Sequence, residues 1–577
     1  MNPRIQQLSI ATAAFALAGC SGNIPLSKHP HCAPNPDFER DWKTMKPVVN
    51  HPIIDVHTHA FNARYLPLRR VVESRKWGTA VWWLPRPCLE AVAVMITSGT
   101  PRDEKEAAAR EGLIREWEAK HGPADTVGRR LAAMVATNKT KLKVEWPGER
   151  RRQLQRIAEN KARSGDVRGS GNEITPLAWL SYHLGAKFVL GRVVTGLFSH
   201  GHEAASSDNS ARTLLNLMSS EKQVRERMAA DFPEVDLFVY QNMDLLPSFY
   251  EKDRLGTYTY SYSNDGNNDD GRTAKGEGNA AALPRIRKMC AESNGRMIHF
   301  VAWNPFRTLD YTPENKLRPA LDVVKEAYKK GAVGVKFYPP LGYRPTGNNF
   351  EEIPKPWGVE SRLQWRNRYE GHTGEELDRI NEELFAWCEQ KQIPIFAHCS
   401  TGEFRAYDDD AYANMAHPKY WELVLAKHKN LRLCLGHAGG ITDWYRGCQT
   451  AEAKVEGEEN WGAIVRKLCR QYEHVYCEFG IHEDVANPKL AEQIYNNLLV
   501  ELPSRGTGKD AGPWKLEDKV MYGSDYYMPV TCSPQDYLDG FVKLFSLDGM
   551  GDYKKKFFYQ NAENYLNRTV SNRWRAW

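Results

Sequence analysis

The amino-acid sequence predicts an α/β protein, a (β/α)8 TIM barrel with a helical insertion between the first and second strands. Eight short segments of mostly apolar or β-branched residues, bounded by Gly, Pro or Asn, recur along the chain. Stretches with helical spacing separate them, and apolar strands that alternate with helices are typical of a parallel sheet covered by helices. Eight such units favour a barrel. The predicted strands are 53–56, 235–240, 297–302, 333–338, 393–397, 431–436, 475–479 and 520–523.

The composition excludes several classes of protein. Of 577 residues, 41% are hydrophobic and 26% are charged, and 78 basic against 72 acidic residues leave a net charge of +6. Such a chain is neither disordered nor collagen-like, and its charge is too evenly balanced for a polybasic nucleic-acid-binding protein, so we expect no nucleic-acid partner. No internal run of 18 or more apolar residues occurs, which excludes a polytopic membrane protein.

The N-terminus has the pattern of a bacterial lipoprotein signal. Arg4 precedes a short apolar stretch at 10–17, and residues 17–20 read Leu-Ala-Gly-Cys, which matches the lipobox. We predict that residues 1–19 are a signal peptide and that Cys20 is lipidated, with an N-terminal linker at 20–49. The mature protein would be an exported lipoprotein, bound to the membrane only through this anchor and facing the periplasm or the cell exterior. An ordinary secretory signal with a chance cysteine is the alternative.

One long insertion divides the predicted barrel. Residues 50–99 contain the start of the barrel and residues 233–577 contain its remainder. Between them, residues 100–232 are rich in Ala, Glu, Arg and Lys at helical spacing. Because this segment holds no cluster of metal-ligand residues, we interpret it as a helical cap.

Candidate chemistry begins with two histidines that follow the first strand. His57 and His59 are two residues apart, so on a strand both side chains point to one face. At the C-terminal end of a barrel strand that face is the mouth, where active sites lie. The pair alone is a weak signal, because a chain of this length with 17 histidines is expected to contain about 0.5 His-x-His pairs by chance.

Polar residues that follow later strands strengthen this signal. His398 comes directly after the fifth predicted strand, His437 after the sixth, and Asp525 shortly after the eighth. The C-terminal ends of barrel strands share one rim, so these side chains should converge with His57 and His59. Three histidines and one carboxylate suit Zn²⁺ or a similar divalent metal with one position open for water. The sequence therefore predicts a metal site, with separate capping and core roles as the alternative.

Six short motifs occur in a defined order along the chain. They are Asp-Val-His-Thr-His at 55–59, Gly-Val-Lys at 334–336, Phe-Ala-His at 396–398, Gly-His-Ala-Gly-Gly at 436–440, Gly-Ser-Asp at 523–525 and Asn-Ala-Glu-Asn-Tyr-Leu at 561–566. Together they resemble the amidohydrolase superfamily, and within it the amidohydrolase-related branch that includes aminocarboxymuconate semialdehyde decarboxylase and related hydrolases and lactonases. The resemblance covers about residues 50–99 and 233–567.

The resemblance implies roles for five residues. His57, His59, His398 and Asp525 would bind a single metal, and His437 would orient or deprotonate the water on that metal. The insertion is longer than we expect for that branch and could reshape the mouth of the barrel. The substrates of the branch therefore cannot be assigned to this protein.

Lys336 leaves the number of metals open. By the resemblance, it lies where members with two metals carry a carboxylated lysine that bridges the ions, and His398 and His437 would then bind a second metal. The other interpretation is an unmodified lysine at the end of a strand, which forms an ion pair or packs its aliphatic stem against its neighbours. The amidohydrolase-related branch usually uses one metal, which favours this second interpretation.

The predicted function is metal-dependent hydrolysis of an ester, lactone or amide bond in a small organic substrate. A divalent ion lowers the pKa of its water toward about 7 and polarises a carbonyl group. His437 is the candidate general base or acid, and Asp525 could also carry a proton to the leaving group. The alternatives are a metal-dependent non-oxidative decarboxylase and a non-catalytic lipoprotein that uses the barrel as a binding module.

Seven side chains that follow the barrel strands are candidate substrate contacts. Any arginine among them could clamp a carboxylate, and for each residue the alternative is a place on the solvated surface. A homo-oligomer is compatible with the sequence. The seven are Trp303, Asn304, Arg307, Tyr343, Arg344, Arg405 and Tyr526.

Overall fold

We describe a computed structural model of the chain. The predicted signal peptide, Cys20 and the first part of the linker at 20–49 lie outside the described residues, as does most of the chain between 125 and 206. The described residues are 37–65, 103–124, 207–245, 278–309, 318–349, 371–401, 413–440, 442–445, 460–529 and 531–567, with a few short pieces between them.

Eight parallel strands form a barrel in which each strand pairs with the next along the chain. The last strand meets the first through a parallel bridge between Thr58 and Tyr526 and through a hydrogen bond of 3.2 Å from the Val56 amide to the Tyr522 carbonyl. The predicted (β/α)8 barrel is therefore confirmed. The strands are β1 (Ile54–Thr58), β2 (Leu237–Gln241), β3 (Met297–Trp303), β4 (Gly334–Phe337), β5 (Ile395–His398), β6 (Leu433–Gly436), β7 (Val475–Glu478) and β8 (Val520–Met521).

Helices lie between the strands, as the repeated strand-helix unit requires. The described helices are α1 (Phe38–Thr44), α2 (Glu104–His121), α3 (Ser207–Leu217), α4 (Glu221–Asp231), α5 (Gly278–Ala291), α6 (Phe306–Leu309), α7 (Ala320–Lys329), α8 (Gly374–Lys391), α9 (Lys419–Lys427), α10 (Thr442–Tyr445), α11 (Trp461–Gln471), α12 (Pro488–Glu501), α13 (Pro534–Leu544), α14 (Gly551–Lys555) and α15 (Asn561–Leu566).

The barrel interior is filled by apolar side chains. Val56, Val239, Phe300 and Phe396 belong to one buried cluster, against which Tyr565 of α15 packs. The carbonyl of Asn564 in α15 accepts a hydrogen bond from Arg432, which immediately precedes β6. Helix α15 therefore covers the N-terminal end of the barrel, and the opposite end is left for polar side chains.

Two strands end two residues away from their predicted ends, whereas β6 ends as predicted and the other five differ by one residue. β1 extends to Thr58, two residues beyond the predicted 53–56, because the Thr58 hydroxyl donates to the Val239 carbonyl at 3.1 Å and the His59 amide donates to the Tyr526 carbonyl at 2.7 Å. β8 ends at Met521 rather than at 523. The Tyr522 amide donates to the Phe557 carbonyl instead of extending the strand pairing.

The described part of the predicted insertion is largely helical. It contains α2, α3 and α4, and a two-residue antiparallel pair between Leu142–Lys143 and Glu173–Ile174. Helix α4 begins with a capping box, in which Ser220 and Gln223 satisfy each other's backbone amides. The boundaries at 100 and 232 stay a prediction. None of the helices among the described residues has the length and apolar character needed to cross a membrane.

Candidate metal centre

Seven polar side chains meet at the C-terminal end of the barrel. Each of them is at most 3% exposed to solvent, so the charges and ring nitrogens act on one another with little screening by water. The seven are His57 and His59 from the end of β1, Lys336 from β4, His398 at the end of β5, His437 directly after β6, Glu478 at the end of β7 and Asp525 after β8.

Three of these side chains form one compact group. Asp525 Oδ1 lies 2.9 Å from His59 Nε2 and 3.2 Å from His57 Nε2. This oxygen is buried and accepts no hydrogen bond. A buried carboxylate oxygen without a donor is costly unless a cation occupies the space that it faces. The group therefore fits a divalent metal held by two imidazole nitrogens and one carboxylate oxygen.

Hydrogen bonds on the other side of each ring orient both Nε2 atoms toward this group. His59 Nδ1 lies 2.8 Å from the Gln241 carbonyl oxygen, which can only accept, so Nδ1 carries the proton and Nε2 presents a lone pair. His57 Nδ1 lies 2.9 Å from Glu478 Oε1. Partners of this kind fix the tautomer and the orientation of metal-binding histidines.

Glu478 is a central residue that we did not predict. Its carboxylate contacts the His57 ring and accepts hydrogen bonds from the amides of His437, at 2.8 Å, and Gly480. Burial raises the pKa of Glu478 to about 7, although His437 and Lys336 lower it. The sequence contains a signal for it, since Glu478 is an acidic residue next to the end of the apolar segment 475–479. The rule that selected His398 at the end of its strand would have selected Glu478 as well.

A third buried carboxylate, that of Asp55, joins the two ends of the barrel sheet. Asp55 Oδ1 accepts hydrogen bonds from the amides of His57 and Ser524, at 3.1 and 3.0 Å, and Oδ2 accepts one from the Ser524 hydroxyl at 2.5 Å. Burial raises the pKa of Asp55 to about 8, while these hydrogen bonds act to lower it. Asp55 thus connects the strand that carries His57 to the turn that carries Asp525.

His398 lies beside the compact group. Its Nδ1 is 3.1 Å from His437 Nε2, and its Nε2 is 3.3 Å from Ser400 Oγ. Its role as a metal ligand stays a prediction. Among the described residues, the two groups that bring three ligand atoms close together are His57, His59 and Asp525, and His57, His437 and Glu478.

His437 is oriented by its backbone and by its ring. Its Nδ1 lies 3.0 Å from the Gly480 carbonyl oxygen, so Nδ1 carries a proton and Nε2 can accept one. The backbone at His437 and Ala438 is left-handed, with φ of 60° and 50°, and Asp525 has a φ of 53°. Residues other than glycine adopt this conformation at a cost of about 1–3 kcal/mol, and they cluster at functional sites.

Lys336 reaches into the same group. Its Nζ lies 3.2 Å from His57 Nε2 and 4.2 Å from the centre of the Phe396 ring. The ammonium group can donate to the His57 Nε2 lone pair, which is the lone pair that a metal would use. Lys336 and a metal ion therefore compete for one atom.

Three of the predicted substrate contacts are bound to other parts of the protein. Trp303 Nε1 donates to Asn381 Oδ1 at 2.9 Å, and the Tyr343 hydroxyl donates to the Trp303 carbonyl at 2.9 Å. The Arg344 guanidinium lies 4.7 Å from the centre of the Tyr420 ring. Each of these three residues thus has at least one protein partner, and their contact with a substrate stays a prediction.

Three of the remaining four predicted substrate contacts also have protein partners. Arg307 forms a buried ion pair with Asp244, and Asn304 Nδ2 donates to the Asp244 carbonyl at 2.9 Å. Removing one partner from a buried pair typically costs about 3–5 kcal/mol, so this pair stabilises the fold, and a contact of Arg307 with a substrate carboxylate stays a prediction. The Tyr526 hydroxyl bonds to helices α3 and α4. Arg405 lies outside the described residues.

Replacing Gly523 by alanine should disturb the centre through Glu478. A methyl group on Gly523 would overlap Glu478 Oε2 and lie 3.0 Å from His57 Cβ. The carboxylate must then give up some of its hydrogen bonds, and we expect metal affinity to fall by about 10- to 100-fold, the usual effect of losing such a partner. Gly551→Ala is the matched control, because a methyl group there meets no atom within 4 Å. Equal metal affinities of the two variants would contradict this role of Glu478.

His482 should make the fold sensitive to acid. It is buried, stacks on Phe479 and donates from Nε2 to the His437 carbonyl at 3.0 Å. Burial lowers the pKa of His482 to about 3. As pH falls below about 6.5 the unfolded chain binds a proton that the folded protein excludes, which costs about 2 kcal/mol of unfolding free energy by pH 5.

The variant His482→Gln removes this titrating group and retains an amide donor. Its stability, measured by chemical unfolding between pH 7 and 5, should fall less than that of the unsubstituted protein. His121→Gln, at an exposed position of α2, should leave the pH dependence unchanged. The same pH dependence in His482→Gln as in the parent would show that His482 does not control it.

A closed eight-stranded barrel with a buried group of two histidines and an aspartate at its C-terminal end defines a class of metal-dependent barrel proteins. The amidohydrolase family model matches residues 276–568, just over half of the chain. The chain therefore belongs to the amidohydrolase family, whose enzymes are metal-dependent. The resemblance drawn from the six motifs is confirmed.

Several solved structures are similar to this chain. An uncharacterized TIM-barrel protein from Bordetella bronchiseptica is 14% identical, with 67% of this chain and 90% of that chain covered and a TM-score of 0.36. A 5-carboxyvanillate decarboxylase from Novosphingobium aromaticivorans, complexed with manganese and a nitrobenzoic acid, is 13% identical over 72% of this chain and 92% of that chain, with a TM-score of 0.34. A probable 2-pyrone-4,6-dicarboxylic acid hydrolase from Acinetobacter baumannii is 11% identical over 59% and 88%, with a TM-score of 0.31. No curated protein matches the sequence.

Proposed function

We propose that this protein is a metal-dependent hydrolase that cleaves an ester, lactone or amide bond of a small organic substrate. The observation that carries the proposal is the compact group of His57 Nε2, His59 Nε2 and Asp525 Oδ1, in which a buried carboxylate oxygen faces two ring nitrogens without a hydrogen bond. Membership of a metal-dependent family supports the same reading of the site.

The donor set favours one divalent ion, and we propose zinc. Two imidazoles and one carboxylate are a usual zinc set in catalytic sites, which leave a position open for water. His398 would complete the set if its ring turned toward the group. A second metal would need His398 and His437 as ligands, and their nearest nitrogens lie at hydrogen-bond distance from each other.

The residues of the chain prepare the site for hydrolysis. When bound, a divalent ion supplies a Lewis acid that lowers the pKa of a water molecule and polarises a carbonyl group. Glu478 holds the His57 ring through Nδ1, and the Gln241 carbonyl holds the His59 ring in the same way. Burial of the whole group reduces the screening of its charges by bulk water.

His437 is the proposed base. Its Nδ1 proton is held by the Gly480 carbonyl, so Nε2 is the atom that can take a proton from the attacking water. The same proton can then be delivered to the leaving alcohol or amine. Asp525 has two carboxylate oxygens, and the one that does not face the histidines can hold a proton during this transfer.

Turnover with defined substrates tests this proposal. The purified protein is stripped with a chelator, reloaded with Zn²⁺ and assayed against lactones, aryl esters, amides and hydroxybenzoates, with carbon dioxide detected in parallel. Zinc-dependent turnover of a lactone, ester or amide that is absent in His59→Ala supports the proposal. Carbon dioxide release from a hydroxybenzoate without any hydrolysis would replace it with the decarboxylase alternative. Zinc binding without turnover of any substrate would favour a binding module.

We also propose that the protein is an exported lipoprotein anchored through Cys20. The support is the lipobox at 17–20 directly after an apolar segment. Mass spectrometry of the mature protein should find a chain that begins at an acylated Cys20, and Cys20→Ala should no longer extract with the membrane fraction. A mature chain that begins elsewhere, or a Cys20→Ala protein that is still extracted with the membrane fraction, would contradict the proposed lipid anchor.

A further inference from the structure

Helices α3 and α4 contact the turn that carries Asp525. Both helices precede β2 and lie inside the predicted insertion at 100–232. The contact is made by Tyr526, which directly follows Asp525 and is 2% exposed. Its hydroxyl donates to Asp231 Oδ2 at 3.0 Å and accepts from Asn216 Nδ2 at 3.3 Å.

Both partners of the Tyr526 hydroxyl are themselves held in place. Asp231 Oδ1 pairs with Arg212 at 2.7 Å, and Asn216 Oδ1 accepts from Arg227 Nε at 2.7 Å. The side-chain oxygens of Asp231 and the side-chain oxygen and nitrogen of Asn216 thus each have a partner, either on α3 or α4 or at the Tyr526 hydroxyl. The ring of Phe232, just after α4, packs edge-on against the Tyr526 ring with centroids 5.9 Å apart.

The other side of the same turn is tied to β1. The Tyr526 carbonyl accepts from the His59 amide at 2.7 Å, and the Asp525 amide donates to the His57 carbonyl at 2.7 Å. Asp525 sits between these bonds in a left-handed conformation that costs energy to hold. The turn is therefore held from two directions: its backbone bonds to the strand of the two histidines, and the Tyr526 phenol bonds to α3 and α4.

We propose that Asn216 and Asp231 are positioning residues for the metal centre, acting through the Tyr526 hydroxyl on the placement of Asp525. This inference rests on the proposed function, since it assigns a task to the metal group of that site. It also assigns α3 and α4, at the end of the predicted insertion, to the support of the site. Deleting residues 100–232 would then weaken metal binding as well as change the substrate range.

Zinc affinity of four variants tests this inference. Tyr526→Phe removes only the hydroxyl, Asp231→Ala removes its acceptor, and the third variant combines both. The control, Arg225→Ala, loosens α4 without touching Tyr526, because Arg225 donates to the Met289 carbonyl at 2.9 Å and pairs with Glu292. Zinc affinity is measured by competition with a coloured chelator, and the stability of each metal-free protein by thermal unfolding.

We expect each single substitution at 526 or 231 to weaken zinc binding about tenfold or more, as loss of a residue behind a ligand usually does. The double variant should lie within about twofold of the weaker single variant, because both substitutions break the hydrogen bond between Tyr526 and Asp231, and the Asp231–Arg212 pair is lost in Asp231→Ala and in the double variant alike. Arg225→Ala should lose stability and bind zinc within about twofold of the parent. A merely structural role of α4 would give parallel losses of stability and affinity in all four proteins.

Parent-like zinc affinity in folded Tyr526→Phe would overturn the inference, as would fully additive losses in the double variant. His59→Ala is measured alongside to keep the two proposals apart. If His59→Ala loses zinc while Tyr526→Phe keeps it, the positioning role fails and the metal centre stands. If His59→Ala also keeps its zinc, the proposed metal centre itself is wrong.

Discussion

Replacing Asp525 by asparagine should strip the metal from the protein. Asparagine keeps the shape of the side chain and tolerates the left-handed backbone at this position, with its φ of 53°. What it removes is the negative charge of the oxygen that faces His57 and His59 at 3.2 and 2.9 Å. Losing a metal ligand typically costs several kcal/mol, so zinc affinity should fall by about 10²-fold or more and turnover should fall with it.

The matched comparison is His437→Ala, which should separate base from ligand. The ring nitrogens of His437 lie at hydrogen-bond distance from His398 and the Gly480 carbonyl, and its ring also lies beside that of His57, with centroids 5.0 Å apart. This variant should keep about one metal per chain and lose about 10²- to 10⁴-fold in rate, the usual contribution of a positioned acid or base. Metal content is measured by elemental analysis and rate by the hydrolysis assay.

Two results would change this assignment. Loss of metal in His437→Ala, with about two metals in the parent and sensitivity to substitution of Lys336, would favour a binuclear centre with a bridging lysine. Full activity in His437→Ala would contradict both arrangements, because neither leaves that residue without a task.

Replacing Asp55 by alanine should give the largest loss of stability. The side chain is fully buried and accepts three hydrogen bonds, two from Ser524 and one from the His57 amide. Each buried donor left without a partner costs about 1–3 kcal/mol, and since the three donors share one site we expect a combined loss of about 3–5 kcal/mol in unfolding free energy. Zinc affinity should fall as well, since Asp55 links the strand of His57 to the turn of Asp525.

Asp55→Asn is the control for size and shape. Its amide oxygen can still accept from the two backbone amides, so we expect a loss of about 1–2 kcal/mol. Chemical unfolding of the metal-free proteins measures both variants. If Asp55→Ala loses less than about 1 kcal/mol, the hydrogen bonds that close the barrel at this point do not depend on Asp55.

The barrel and the positions of the first candidate ligands could be predicted because both follow from short-range patterns. Strands buried on both faces are apolar along their length, and a polar residue at the end of such a strand is visible in the sequence. His57, His398 and Asp525 were found in this way. Glu478 satisfies the same rule, but its importance depends on contacts with His57, a residue 421 positions away in the chain.

The predicted substrate contacts show what the same rule leaves open. Position after a strand places a residue near the mouth, but it does not say in which direction the side chain points. Arg307 pairs with Asp244, and Trp303 bonds to Asn381 on helix α8. Such partners come from other strand-helix units, and no local pattern in the sequence indicates them.

The position of the metal tests the central claim most directly. Crystals grown with Zn²⁺, with diffraction recorded above and below the zinc absorption edge, give an anomalous difference map that shows the ion alone. The account predicts one peak per chain, about 2.0–2.2 Å from His57 Nε2, His59 Nε2 and Asp525 Oδ1. A peak held only by His398 and His437, or no peak at the end of β1, would contradict it.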